Sequence, residues 1–166
     1  MAGYQVEVQM NGFNELRRRI EQAPQHIADV KYKMLDRMVR ITSEKAIMEA
    51  PIDTGNLRQN LRSNSKVVTL GSEFYGVVGT NLVDHGAPYP IYQEYGTGVY
   101  GKYGRPIVPK KKKFLIFKNK SGKLIFAKQV QGTRPKRFLK KGIEELRSRL
   151  GEVVRLGHEI IDKLSF

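Results

Sequence analysis

Cysteine is absent from the 166 residues, which excludes a disulfide scaffold and every thiolate-based zinc or iron–sulfur site. Long apolar runs are missing as well. None approaches the ~18 residues of a membrane-spanning helix, and Met1 to Met10 alternates polar and apolar residues where a signal peptide has a continuous apolar stretch. The expectation is a soluble chain, made and kept in a cytoplasm or packaged from one. Acidic residues are missing from one segment: between Glu94 and Glu144 lie 49 residues that hold 15 of the 30 Lys and Arg and no Asp or Glu. The rest carries 15 bases against 16 acids, so the net charge of +14 belongs wholly to that segment. A block of this kind, with Lys110, Lys111, Lys112 and Lys113 in a row, attracts a polyanion or an acidic protein face; the simpler alternative is a solvated loop.

Hydrophobic residues at 40% and aromatics at 9% set aside wholesale disorder, and 28% charged residues leave no room for a membrane-embedded chain. The length is one domain's worth, spanning 1–166 and burying roughly 70% of its unfolded surface, with a basic loop and hairpin excursion at about 99–131. Tyr4 to Met10 has the period of a half-buried strand. Phe13, Leu16 and Ile20 mark a helix over Phe13 to Glu21, and Pro24 begins a second helix that runs to about Ala50. That helix places Ile27, Val30, Met34, Met38, Ile41 and Met48 on one stripe. Val67 to Leu70 and Phe74 to Val78, separated by Gly71 and Ser72, read as a hairpin. Pro88 to Tyr95 reads as a short helix and Gly96 to Pro109 as loop. Phe114 to Phe117 and Leu124 to Phe126 flank an Asn119–Gly122 turn, a second hairpin with lysines at its tip and base. From Pro135, Leu139, Ile143, Leu146, Leu150, Val153, Gly157, Ile160 and Leu164 repeat at spacings of four and three, a helix of about 28 residues and ~42 Å. One end of so long a helix is expected to pack on another subunit. Gly142, Gly151 and Gly157 within it each cost ~1 kcal/mol relative to alanine, so it needs tertiary packing or a close neighbour. The fold class is α+β: a small antiparallel sheet with hairpins, packed by a long N-terminal and a long C-terminal helix.

Catalytic and cofactor patterns are weak. Gly96, Gly98 and Gly101 satisfy G-x-G-x-x-G, and with Lys102 nearly a P-loop, but Pro106 and Pro109 follow where a phosphate-binding helix should begin. Tyr103 also stands in place of the magnesium-holding hydroxyl. Asp53-Thr54-Gly55 spells the aspartic-protease tripeptide, yet Asn56 to Arg62 reads as a short basic helix with Asp53 or Thr54 as its N-cap, and the structural cap is favoured. His26, His85 and His158 have no partner at metal-ligand spacing, and Asp84 beside His85 reads as polar loop. No cofactor is expected, and a non-enzyme is the favoured class.

Three local patterns occur in order. They are Ala50-Pro51-Ile52-Asp53-Thr54-Gly55-Asn56-Leu57-Arg58; Pro90-Ile91-Tyr92-Gln93-Glu94-Tyr95-Gly96-Thr97-Gly98; and Gly132-Thr133-Arg134-Pro135-Lys136-Arg137-Phe138-Leu139. Together they resemble the gene-product-ten-like tail-component family of tailed bacteriophages, neck or tail-completion proteins that act where head meets tail. Asp53, Thr54, Gly55, Leu57, Tyr92, Glu94, Gly96, Thr97, Gly98, Pro135, Phe138 and Leu139 carry the resemblance. The stretch Val99 to Lys113 departs from it in length. The turn Asp53 to Asn56 is expected to fix the long helix against the first hairpin, and Pro90 to Gly98 to pin the exit from the sheet.

The resemblance implies a virion protein at the neck or tail end, assembled in the host cytoplasm. It would form a homo-oligomeric ring, read as hexameric, around the DNA channel, beside connector, tail-terminator or tail-tube proteins. In such a ring Lys110, Lys111, Lys112, Lys113, Lys118, Lys120 and Lys123 would meet double-stranded DNA in the lumen, without sequence preference, or an acidic partner. Like charges within a Debye length of ~8 Å need such anions. Five of the eight tyrosines fall between residues 89 and 103, and Tyr89, Tyr95, Tyr100 and Tyr103 suit a subunit interface. No membrane partner is expected. The alternatives are a sequence-nonspecific nucleic-acid-binding protein using the basic 99–141 segment and, distantly, an aspartic hydrolase built on Asp53.

Overall fold

The computed structural model describes residues 27–71, 73–83, 86–119 and 121–164. The strand expected over Tyr4 to Met10, the helix over Phe13 to Glu21, the start at Pro24, and His26, Asp84, His85 and Lys120 lie outside these. The chain divides into two compact units, Met1–Asn81 with Phe138–Phe166, and Leu82–Arg137. The first is a helical unit with a β-hairpin; the second carries the basic excursion.

In the helical unit, α1 (Ile27–Glu49) is the surface on which the other elements pack. Its apolar stripe forms the core: Val30, Met34, Met38 and Ile41 close on Leu146 and Val153 from the C-terminal helices, with Leu35, Leu150 and Ile160 at the margin. Met34 and Met38 are core residues as expected. Met48 is 62% exposed, a correction to the expected stripe. Toward its C-terminus α1 buries a different set, Val39, Thr42, Ser43 and Ala46: Val39 faces the hairpin at Gly76, Thr42 and Ala46 face the C-terminal helical segment at Gly142, α2 (Asn56–Asn64) packs alongside, and Met48 is left uncovered. The buried hydroxyls are satisfied within the helix, Thr42 donating to the Met38 carbonyl at 2.9 Å and Ser43 to that of Arg40 at 3.2 Å.

The turn from α1 into α2 is built by its backbone and by one arginine. Gly55, at φ 83°, occupies the N-cap position of α2, and no side chain caps the helix. The cap expected from Asp53 or Thr54 is therefore corrected. Thr54 only accepts a long 3.4 Å bond from the Asn56 N–H, because the left-handed glycine that folds α2 back on α1 takes the place of an extended Ser, Thr or Asp. Arg58 then reaches back to the unpaired carbonyls ending α1, donating to Met48 O at 2.8 Å and to Ala50 O at 2.8 and 3.0 Å. Leu57 and Leu61 fill the seam.

The hairpin β1 (Lys66–Leu70) and β2 (Glu73–Val77) is antiparallel, with Val68 opposite Tyr75 and Leu70 opposite Glu73. Gly76 lets it approach α1, since a Cβ there would lie 2.8 Å from the Val39 side chain. The Tyr32 and Phe74 rings meet edge to face at 5.8 Å. The expected C-terminal helix is two: α4 (Phe138–Ser148) and α5 (Leu150–Leu164). At Arg149 the N–H is shared between the Glu145 and Leu146 carbonyls, the last turn tightens, and the stripe resumes in α5. The small residues of this stretch serve close approach. A Cβ on Gly142 would lie 2.5 Å from the Thr42 carbonyl oxygen and one on Gly157 2.7 Å from Met34 Sδ, whereas Gly151 faces open space.

Ion pairs lock the helices across this packing. Glu152 on α5 accepts from Arg37 on α1 and, at 2.9 Å, from Arg149; Glu49 accepts from Lys141 on α4 at 2.6 Å and pairs with Lys45 at 3.0 Å. Hydrogen bonds from Arg37 and then Arg149 hold the Glu152 carboxyl below the ordinary carboxylate value of 4.5, and Lys141 and Lys45 do the same for Glu49.

Gly142→Val is expected to destabilise the protein by about 1–3 kcal/mol through overpacking, and Gly151→Ala to be neutral or to stabilise by up to about 1 kcal/mol; denaturant unfolding of the pair checks this. Because Glu152 and Glu49 have folded pKa values below their unfolded ones, their stabilisation is full above pH 4.5 and is lost as pH falls through the folded values. Thermal unfolding of Glu152→Gln against the wild type should show a lower midpoint at neutral pH and converging midpoints in acid.

Candidate functional site

The second unit is organised around a backbone crossing. It begins with α3 (Tyr89–Tyr95), where Pro90 lies in the first turn and Gly96, at φ 76°, ends the helix by donating its N–H to Tyr92 O. The chain then runs beside its own later segment. Thr97 N–H donates to Thr133 O at 2.9 Å, Thr133 N–H to Thr97 Oγ1 at 2.9 Å, Val99 N–H to Gln131 O at 2.8 Å and Lys136 N–H to Gln93 O at 2.7 Å. Glycine is required here on two counts. Gly98 and Gly132 have φ of 62° and 94°, and a Cβ on either would lie 2.1 or 2.3 Å from the opposing carbonyl oxygen of Gln131 or Thr97.

The excursion between these strands is closed further out. A single turn of 3₁₀ helix over Gly98–Tyr100 leads into it, the Tyr100 hydroxyl reaches Gln131 Oε1 at 3.3 Å, and the Arg134 guanidinium lies 5.1 Å from the Tyr100 ring centre. Ile107 and Val130 exchange both backbone hydrogen bonds. Beyond them β3 (Leu115–Lys118) and β4 (Leu124–Ala127) form an antiparallel ribbon. Its turn is held by Asn119, whose side-chain oxygen accepts from the Ser121 and Lys123 N–H groups at 3.0 and 2.9 Å.

Residues 99–131 carry ten Lys and Arg and no acid. Lys110 to Lys113, Lys118 and Lys123 are all exposed. Of the family-like positions, Tyr92, Glu94, Gly96, Thr97, Gly98 and Pro135 belong to the second unit, Gly96 meeting Pro135 where a Cβ would stand 2.9 Å from its ring. Glu94 is buried and Tyr92 exposed. Asp53, Thr54, Gly55 and Leu57 belong to the helical unit, as do Phe138, wholly buried at the start of α4, and half-buried Leu139. Tyr95 and Tyr103 are exposed, Tyr89 and Tyr100 half-buried.

Gln131, Gly132 and Thr133 are the partners that sequence reasoning did not single out as site residues. Their signal was available: Gly132-Thr133 repeats the Gly-Thr pair of Gly96-Thr97 and Gly98. Gly96 and Gly98 of the apparent phosphate loop serve the crossing, Gly101 packs on the Thr97 backbone within its own turn, and the chain after Gly101 opens no helix. Asp53 is exposed, unlike the buried paired carboxylates of an aspartic hydrolase. Among the described residues no group of His, Asp or Glu is placed to hold a metal ion, and no helix is long and apolar enough to cross a membrane.

Residues 14–96 match the HK97-gp10-like family, described as "Bacteriophage HK97-gp10, putative tail-component". The match covers 83 of the 166 residues. This chain belongs to that family of phage tail components. The matched span takes in α1 through α3 and ends at Gly96, so the excursion and the C-terminal helices lie beyond it. No curated protein and no solved structure matches the chain.

Gly98→Ala or Gly132→Ala is expected to part the crossing. The Thr97, Val99 and Thr133 amides should then exchange hydrogen at least tenfold faster, while the amides of α1 keep their protection.

Proposed function

We propose that this tail component is a non-enzymatic virion protein of the head–tail interface, assembled in the host cytoplasm. In this reading it completes the neck or tail end as a ring around the DNA channel, hexameric in the simplest case, and joins tail to head beside connector, terminator or tube proteins. The observation that carries the reading is the 33-residue excursion, all-basic among its charged residues, closed at its root by backbone pairing in a chain of a tail-component family. Lys110 to Lys113, Lys118, Lys120 and Lys123 supply a charge surface for DNA phosphates or an acidic neighbour. Tyr89, Tyr95, Tyr100 and Tyr103 supply contact area between subunits.

A free-standing nucleic-acid-binding role is the second reading, favoured by the same acid-free segment. Phosphate contact alone is steeply salt-dependent, losing ~10³–10⁵ in affinity between 50 and 200 mM salt for 6–10 contacts. Deletion of the gene from the parent phage or prophage separates the two. Electron microscopy should show filled heads apart from tails, or tails with abnormal ends. Normal, joined, infectious particles would overturn the assembly reading and leave nucleic-acid binding in first place.

A further inference from the structure

The two faces of the β3–β4 ribbon differ in exposure. In its register Ile116 pairs with Phe126 and Lys118 with Leu124, so these four side chains share one face; Phe114 and Lys128 flank the ribbon, one residue outside β3 and β4. The apolar members of the face, Ile116, Leu124 and Phe126, are 52, 52 and 61% exposed, and the flanking Phe114 is 41% exposed. On the opposite face Leu115, Ile125 and Ala127 are half-buried, and Phe117, near the ribbon's tip, is 43% exposed. A two-stranded hairpin is marginal by itself, and three large apolar side chains on one open face form the kind of contiguous patch that marks an interaction surface.

We propose that this face docks on a partner protein whose surface has an apolar centre rimmed by Asp and Glu. The inference rests on the assembly reading above and names the chemistry of the partner. Three observations select it. Lys118 lies on the face itself, Lys123 immediately precedes β4 and Lys128 follows it, and no acid occurs in residues 99–131, so the rim required of the partner is negative. A nucleic-acid strand would satisfy the lysines, and its bases could stack on Phe114 and Phe126, but Ile116 and Leu124 have no ring on which a base stacks. A second copy of this chain offers the wrong sign: residues 82–137 hold 13 bases against 2 acids and the remainder 17 against 14, so both parts are net positive. An apolar centre with an acidic rim is the surface that covers the whole face, in the arrangement of apolar core and polar rim usual for protein interfaces.

A photo-crosslinking residue, p-benzoylphenylalanine, placed at position 126 in phage complemented by the full chain tests this directly. In purified wild-type-like particles the adduct is expected on a different virion protein, within a segment that sets Asp or Glu beside apolar residues. The double variant Ile116→Thr/Phe126→Thr is expected to keep its thermal midpoint within a few degrees and to enter particles at least tenfold less. An adduct on DNA, an adduct on another copy of the chain, no adduct, or normal incorporation of a folded double variant would each overturn the proposal. If the double variant does not fold, the adduct alone decides. Absence of the wild-type chain from particles would instead be failure of the assembly reading, and this inference would fall with it.

Discussion

The second unit depends on the backbone of residues 97–99 lying against that of residues 131–133, a contact that leaves no space for side chains at its centre. Glycine at 98 and 132 is what permits it, through left-handed φ values and through the missing Cβ. Everything between these strands inherits its position from them: the 3₁₀ turn, the Tyr100 clasp with Gln131 and Arg134, the Ile107–Val130 bridge and the ribbon beyond. Backbone hydrogen bonds hold the root, so the arm's side chains need not contribute to holding it. The lysines and apolar residues of the ribbon are thereby free to be exposed, a state that a compact core would not allow.

The helical unit answers to a different constraint, the filling of one long helix's surroundings. Close approach at Gly142 and Gly157 brings α4 and α5 onto α1, and the Arg37–Glu152–Arg149 and Lys45–Glu49–Lys141 clusters sit at the edges of that contact. These charges are half-buried and still reach solvent, so each pair adds modestly and is screened by salt; their value is in register more than in strength. Arg58 does related work at the other end of α1, where hydrogen bonds to carbonyl oxygens replace those that the helix lost on ending.

Much of this was legible in the residues. Periodicity located α1 from Ile27 onward, and apolar runs split by turn residues located both hairpins, because helical spacing and glycine punctuation are local signals. Of the three motifs, the first and most of the second lie within the residues that match the family, and the third lies beyond them. What escaped had non-local causes. Met48 has the right spacing for the stripe, but which side of a helix is buried depends on where its neighbours end. The cap of α2 went to Gly55 because the chain must reverse there, a demand of tertiary geometry. The break at Arg149 leaves the 4–3 spacing of apolar residues uninterrupted, so spacing alone reads one helix. In the ribbon, Phe114 to Phe117 and Leu124 to Phe126 are continuous apolar runs, the pattern of strands covered on both faces, and the uncovered face appears only once the register is known. The pairing of Gly96-Thr97-Gly98 with Gly132-Thr133 was written in the composition of the two motifs, but its meaning required bringing together residues 36 apart along the chain.

A root closed by main-chain bonds makes the excursion an interchangeable cassette. Loop-closure entropy rises only with the logarithm of length, so doubling an arm adds roughly 0.6 kcal/mol to the cost of joining its ends. Insertions, deletions and wholesale replacement of residues between Gly101 and Gln129 can therefore alter the reach and charge of the arm while the Gly98–Gly132 crossing stays unchanged. Selection on a rapidly changing neighbour would then act on the cassette, and the helical unit would be spared the correlated substitutions that a partner-facing core would demand.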